Sequence, residues 1–410
     1  MPRLASVCLA LALGLFGFSA AAEEKPDPNR QVIAKLRKAL EKNPDNPTLH
    51  YYLAAFQARA KERDGAIASL KKTLELGDGF MPLANFGFEH LQDDAEFKQL
   101  LAAFETRLPK AADAPVVFRL DDKLFFPEGI AYDARTESFY VGSIPQKRIV
   151  RINANGKITP FSRAEDGLQH ILGIAIDQPR RLLYAVSTSA LTEAGRKLGV
   201  NAVVRYDLDS GKRGGEQRFP QAQQLNDVAI APNGDVYASD TRAGAIWRAG
   251  AGSDAATPFL APGILDGING IAIAADGKTL YAAHDAGVAA VDIGTGQVTR
   301  LATPARETVA AIDGLYVWNG DLVGIQNITN RGRVIRIRLN EAGTAITRID
   351  TLQSHHQPAF EQPTTAAIAG DALYVLATTQ IARLKLSRPE GPEHPETLKL
   401  PAVVRVPLVN

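Results

Sequence analysis

Cysteine is almost missing from this chain: of 410 residues, Cys8 is the only one. It lies within residues 1–22, which read as a basic start at Arg3, an apolar run from Leu4 to Phe18, and the small residues Ser19-Ala20-Ala21-Ala22 before Glu23. That is the three-part pattern of a secretory signal peptide. Beyond it, the lack of cysteine excludes a disulfide, a thiolate nucleophile and a cysteine metal site, whatever the redox compartment. A lipid-attachment cysteine would follow the apolar run rather than stand inside it, so no lipoprotein is expected.

Long apolar runs are also lacking. The leader is too short to span a bilayer comfortably, and no later stretch approaches ~20 continuous apolar residues. The mature chain is expected to be soluble, with no membrane insertion after cleavage, and periplasmic or secreted. An excess of one charge is absent too: without the leader, which holds Arg3 and no acid, 45 basic residues face 45 acidic ones. Such a balance offers no electrostatic footprint for nucleic acid or an anionic membrane. No Gly-rich nucleotide loop in a strand-to-helix context and no Gly-x-Ser-x-Gly elbow occurs, so neither a nucleotide cofactor nor a serine triad has support.

Two periods divide what is there. Across residues 30–108 the apolar spacing is helical: Val32, Leu36 and Leu40, then Leu49, Leu53 and Phe56 after the breaker Asn43-Pro44-Asp45-Asn46-Pro47. Leu53-Ala54, Ala66 and Leu70 stand at tetratricopeptide-like offsets, where small residues let two antiparallel helices approach. Residues 80–91 and 94–108 are expected to add a further helical pair. An array this short needs support from elsewhere to bury its core. It is read either as a packing cap on the next domain or as a groove for a protein partner.

After the Pro109–Pro115 linker, short alternating runs rich in Val, Ile, Tyr and Leu replace the helical period. Six in-phase strand openings recur at Glu128, Leu172, Asn226, Asn269, Asp313 and Thr364, spaced 43 to 54 residues apart. Each leads into a turn and a second strand, and four strands per repeat make a propeller blade. The expected architecture is an all-β six-bladed β-propeller over 116–386, preceded by a small α-helical domain. The last blade lacks an outer strand, which 116–120 supplies in one arrangement and 402–406, in the tail 387–410, supplies in the other.

The first strand of a propeller blade lines the central channel, so the six opening residues form a ring at one mouth. Five of the six offer side-chain oxygens and two of these are carboxylates, a donor set suited to a hard divalent cation such as calcium better than to copper. Asn-Gly and Asp-Gly also form turns for local reasons, but turn formation explains neither Glu128 nor the shared phase. The second strand of each blade returns to the same mouth and ends at Ser143, Ser187, Asp240, His284, Gln326 and Ala377. His284 is the candidate proton carrier among these, with a structural hydrogen-bonder as the competing reading. Ser143 and Gln326 are expected to line the pocket with Gln224. Asp240 is read as bracing its turn, and His170, His355 and His356 fall on loops at the same end.

These residues resemble the senescence marker protein, gluconolactonase and luciferin-regenerating enzyme family, six-bladed propellers with one divalent metal in the channel. The family's metal-binding glutamate matches Glu128 in Phe126-Pro127-Glu128-Gly129-Ile130. Its two asparagines match Asn226 and Asn269, and its aspartate matches Asp313 in Asp313-Gly314-Leu315. The resemblance implies hydrolysis of a small lactone or related ester, with calcium, or else zinc or manganese, held by Glu128, Asn226, Asn269 and Asp313. It also makes Asp313 both ligand and base. Two departures stand out. The histidine that paraoxonase-type lactonases carry before the second-blade glycine is Leu172 here, and Gln224 replaces the substrate-holding arginine of sugar lactonases. An uncharged or more apolar substrate is therefore open. A non-enzymatic envelope scaffold, built on propeller and helical repeats, is the alternative function.

Overall fold

In the computed structural model, residues 27–111, 114–386, 391–392 and 394–408 are described, and the secretory leader read in residues 1–22 lies outside them. Four helices, α1 (Pro28–Lys42), α2 (Pro47–Arg59), α3 (Arg63–Leu76) and α4 (Ala95–Arg107), precede six four-stranded sheets. Helices α1 and α2 start alike. Pro28 and Pro47 occupy the first turn, where a missing N–H costs nothing, and Asp27 and Asn46 accept from Asn29 N (2.9 Å) and Leu49 N (3.0 Å). The breaker before Pro47 thus acts as a helix cap. Ala54 and Ala66 are fully buried, as close contact of α2 with α3 requires.

The helical pair expected after α3 is only half present. Residues 80–91 form two 3₁₀ turns, Ala84–Phe86 and Glu89–Leu91, in place of a helix. Gly87 separates them at φ +106°, where a β-carbon would stand 2.8 Å from the Ala55 carbonyl oxygen. The aromatic residues here pack inward: Phe80, Phe86 and Phe88 surround Tyr51 at centroid distances of 5.4, 6.0 and 5.9 Å.

Each of the six sheets is a propeller blade of antiparallel strands. The inner strands are Pro127–Asp133, His170–Asp177, Leu225–Ile230, Ile271–Ile273, Ile312–Trp318 and Ala366–Ala369, in the phase the repeat implies. Apolar clusters fill the spaces between blades, such as Leu280 and Ala282 against Tyr237 and Ile246, with Tyr281 and Ala283 on the other face against Leu315 and Ile335. Period-two alternation lets one strand serve both spaces.

Closure of the ring corrects the expected boundary at residue 386. Ala402–Pro407 is the third strand of the last blade and Val116–Arg119 its fourth, so both termini are used and the propeller runs through to residue 407. Val404 pairs with Val375 on one side and Val116 on the other. Joining the two ends in one sheet gives the last blade the same four strands as the other five.

The helices dock on the loops of blades four and five, on the side where the inner strands begin. Tyr51 and Tyr52 donate their hydroxyls to the carbonyls of Ile328 (3.0 Å) and Asp285 (3.1 Å). Met81 N donates to Thr329 O at 2.7 Å, and Arg306 pairs with Asp78 at 2.9 Å. Ile328 packs into the helical core itself. The segment between the second and third strands of blade six covers the opposite side of that mouth: Ile381, Leu384, Leu386 and Leu398 join one cluster with Phe126, Leu172 and Ala222.

Candidate active site

Strand geometry aims the ring residues. In four blades the pairing register shifts across the ring position, between Pro127 and Ile130, Ile171 and Ile174, Leu225 and Val228, and Ile312 and Leu315. A bulge of this kind bends the strand and re-aims its side chains. Phe126, Ala311 and Gln362, each two residues before a ring member, hold φ of +42°, +53° and +60°. Such backbone persists only where the surroundings over-determine it. The glycine after the ring residue sets how closely inner strands approach: a β-carbon at Gly129 would lie 2.1 Å from Leu172 O, and one at Gly270 2.5 Å from Asp313 O.

Asp313 is the best-held member. Asn269 donates its amide N–H to Oδ1 at 2.7 Å, and Asn327 donates to Oδ2 and also to Pro363 O at 2.9 Å. Burial raises the Asp313 carboxyl to about 6 against the pull of those two amides. Glu128 is 7% exposed, its Oε2 is buried without a hydrogen-bond partner, and burial beside Asp313 holds its pKa well above the carboxylate range. Asn226 donates Nδ2 to Thr241 Oγ1 at 2.9 Å, which leaves its carbonyl oxygen as the acceptor end.

A third carboxylate, Asp227, belongs to this group and was not among the expected site residues. It accepts from Ile271 N and from its own neighbour Val228 N, both at 2.9 Å, and burial lifts it to about 7. The signal was legible: four of the six openings have glycine after the ring residue, and Asp227 and Thr365 are the exceptions. Tyr316 closes the group. Its hydroxyl accepts from Ala366 N at 2.6 Å, and its pKa is pushed well up by burial and by Asp227, Asp313 and Glu128 around it. Below Asp227 and Tyr316 the channel continues as a cavity of about 320 Å³ walled by apolar residues including Ile130, Ile174, Val228 and Leu315.

The remaining expected site residues are placed differently. Gln326 is fully buried and donates to Ala310 O (2.8 Å) and Thr308 O (3.3 Å), bracing the loop into blade five. Its neighbour Asn327 reaches the ring instead. Ser143 is also fully buried, donating to Phe125 O and accepting from Gln146 N. His284 has a fully desolvated ring held to about 4 by burial and by Arg300, accepts from Ala286 N at 3.2 Å through Nδ1, and leaves Nε2 without a partner. Neither Asp313 nor Glu128 is among the charges acting on it. Gln224 is 1% exposed, accepts from Arg242 at 3.3 Å and keeps a buried, unpartnered Nε2. His170 is tied to Ile144 O at 2.9 Å. Asp240 accepts from Gln223, Gln224 and Ala243 N–H groups and from Trp247 Nε1, which is the turn-bracing role.

Among curated proteins none matches the sequence. In structure the chain is similar to a gluconolactonase from Xanthomonas campestris, at 15% identity and a TM-score of 0.48 over 74% of this chain and 97% of that one. It is also similar to a PQQ-bound aldose sugar dehydrogenase from Streptomyces coelicolor (18%, TM-score 0.49, 73% and 99%) and to a luciferin-regenerating enzyme (16%, 0.47, 72% and 95%). The model of the SMP-30/Gluconolactonase/LRE-like region matches residues 126–380, more than half of the sequence. The chain belongs to the SMP-30/gluconolactonase/LRE-like family.

Proposed function

We propose that this protein hydrolyses a small lactone or related ester at the helix-covered mouth of its propeller channel, using one divalent cation held by Glu128, Asn226, Asn269 and Asp313. The observation that carries the reading is the buried carboxylate group with an orphaned Glu128 Oε2. Three acids desolvated together require either protons or a cation. The donors are all oxygens, which suits calcium first, with zinc or manganese as weaker fits.

A divalent ion bound there would polarise the substrate carbonyl and steady the charge that develops on its oxygen. The chain's own residues do the rest. Asn269 and Asn327 fix both oxygens of Asp313, so its carboxylate plane is set before substrate arrives. In its ionised form Asp313, whose carboxyl burial holds above the usual range, would take a proton from the attacking water. Gln224 Nε2 and Arg242 Nε, both buried and unpartnered, offer donors to substrate oxygens beside the ring. The helices and the blade-six segment exclude bulk water and restrict the substrate to small molecules.

We assign the helical domain the role of a cover. Its central helix is spent on contacts with α1, α3 and the propeller, which supports the cap over a groove for a protein partner, the scaffold alternative. The leader pattern supports a periplasmic or secreted location. The test is a panel of small lactones offered to chelator-stripped and calcium-reloaded protein. Turnover that returns with calcium, and a raised KM in Gln224→Ala, is the expected result. Equal turnover with and without metal, or none on any lactone or ester, rejects the proposal.

A further inference from the structure

Outside the channel, one loop carries two histidines that the proposed chemistry does not use. His355 and His356 precede the inner strand of blade six and face Glu105 on α4, and their ligating atoms with that of Glu105 all lie within 4.8 Å of one another. The His355 side chain is 4% exposed and both of its ring nitrogens are buried without a hydrogen-bond partner; Nε2 is 3.6 Å from Glu105 Oε1. A buried polar ring with neither nitrogen satisfied is costly unless something else binds it. His356 Nδ1 is engaged by Ser354 Oγ at 3.0 Å, which fixes that ring and leaves its Nε2 as the ligating end.

We propose that Glu105, His355 and His356 form a second metal site, selective for a borderline transition cation of the zinc or copper class, that clasps the helical domain to the propeller. Two imidazoles and one carboxylate are the ligands such ions take, whereas calcium requires oxygens. A tetrahedral ion with bonds of about 2.0–2.1 Å sets its ligand atoms roughly 3.3 Å apart, so the observed cluster closes by a rotamer adjustment of about an ångström. Glu105, 56% exposed, is free to make it. Arg331 is the charge that opposes a cation here and Glu105 the one that favours it.

Because the loop runs from His356 to Thr364 at the ring, occupancy would fix the seat of α4 and one edge of the channel mouth together. The inference is independent of the hydrolase proposal, since no ligand is shared and calcium, the ion that best suits the channel, is not one this site would hold. The experiment is zinc titration by calorimetry of the tag-free mature chain in excess calcium, which occupies an oxygen-donor channel but not this site. One zinc per chain is expected, with affinity at least tenfold weaker in His356→Ala and Glu105→Gln. Both residues lie at the rim, so the fold is retained, as circular dichroism would verify. Copper(II) bound at the site is expected to show nitrogen coupling from two imidazoles in its electron paramagnetic resonance spectrum. No zinc uptake, or uptake and nitrogen coupling unchanged in both variants, overturns the proposal.

Discussion

Glu128, Asp227 and Asp313 share one cause, desolvation in a narrow channel, and differ in what offsets it. Asp313 has two side-chain amides, Asp227 two backbone N–H groups, and Glu128 an oxygen with no partner. Replacing Glu128 by Gln keeps the shape and removes the uncompensated charge. Glu128→Gln is therefore expected to bind calcium at least tenfold more weakly in a calorimetric titration, yet to melt higher than wild type when both are metal-free at pH 8. Asp227 makes a pH prediction. Its folded pKa of about 7 lies above the unfolded value of about 3.9, so the folded state holds the extra proton. The stability this gives is full below about pH 4 and is lost as pH rises towards 7. The melting temperature of metal-free wild type should fall between pH 5 and 7.5, and the slope should flatten in Asp227→Asn. A flat wild-type profile would show that Asp227 is not desolvated as described.

Among the ring residues, Glu128, Asn226, Asn269 and Asp313 were legible because a repeat puts equivalent positions in phase. The second-strand ends were legible only to within one residue. Gln326 was expected in the pocket and Asn327 stands there, because side chains alternate with period two and one step sends a residue to the other face. Asp227 was missed because it occupies a glycine position, where the repeat directs attention to the backbone.

At the scale of elements, the second strand of blade five separates two kinds of polar residue that composition cannot. Gln326→Ala removes two buried donations to loop carbonyls and should cost about 1–3 kcal/mol in denaturant unfolding. Asn327→Ala removes donations to Asp313 and Pro363 O and should cost a similar amount, but it alone of the two should also lower turnover. The reverse pattern would contradict the register assigned to Ile312–Trp318 against Asp321–Gln326. Blade six was the least legible element. Its third strand, Ala402–Pro407, is separated from its second, Ala372–Leu376, by the segment that reaches over to Phe126 and Leu172, and no sequence period spans an insertion of that length. The four helices were legible by their period, while residues 80–91 were misread as helix because buried aromatics at short spacing imitate a helical face. Gly87 and its left-handed φ mark the difference.

For the whole molecule, the helices and the propeller share a core, backbone hydrogen bonds and an ion pair, so they should unfold together. Both tryptophans, Trp247 and Trp318, lie in propeller strands, which makes fluorescence a propeller probe and the 222 nm ellipticity largely a helix probe. The two melting curves are expected to coincide, and Tyr51→Phe and Tyr52→Phe each to lower stability by about 1 kcal/mol. Helices that melt first, with fluorescence unchanged, would argue against the docked cover. The size and balance of the chain and its repeat disclosed a propeller with an appendage. Where the appendage sits was not legible, because its contacts run through Tyr hydroxyls and loop carbonyls that carry no sequence pattern.

The most direct measurement of the central claim is calcium content and lactone hydrolysis followed in the same samples of wild type and Asp313→Ala. The account predicts one calcium per wild-type chain with turnover, and loss of both in the variant to below about one hundredth of the wild-type rate. Full calcium and full turnover in Asp313→Ala, or a wild-type protein that binds no divalent cation, would contradict it.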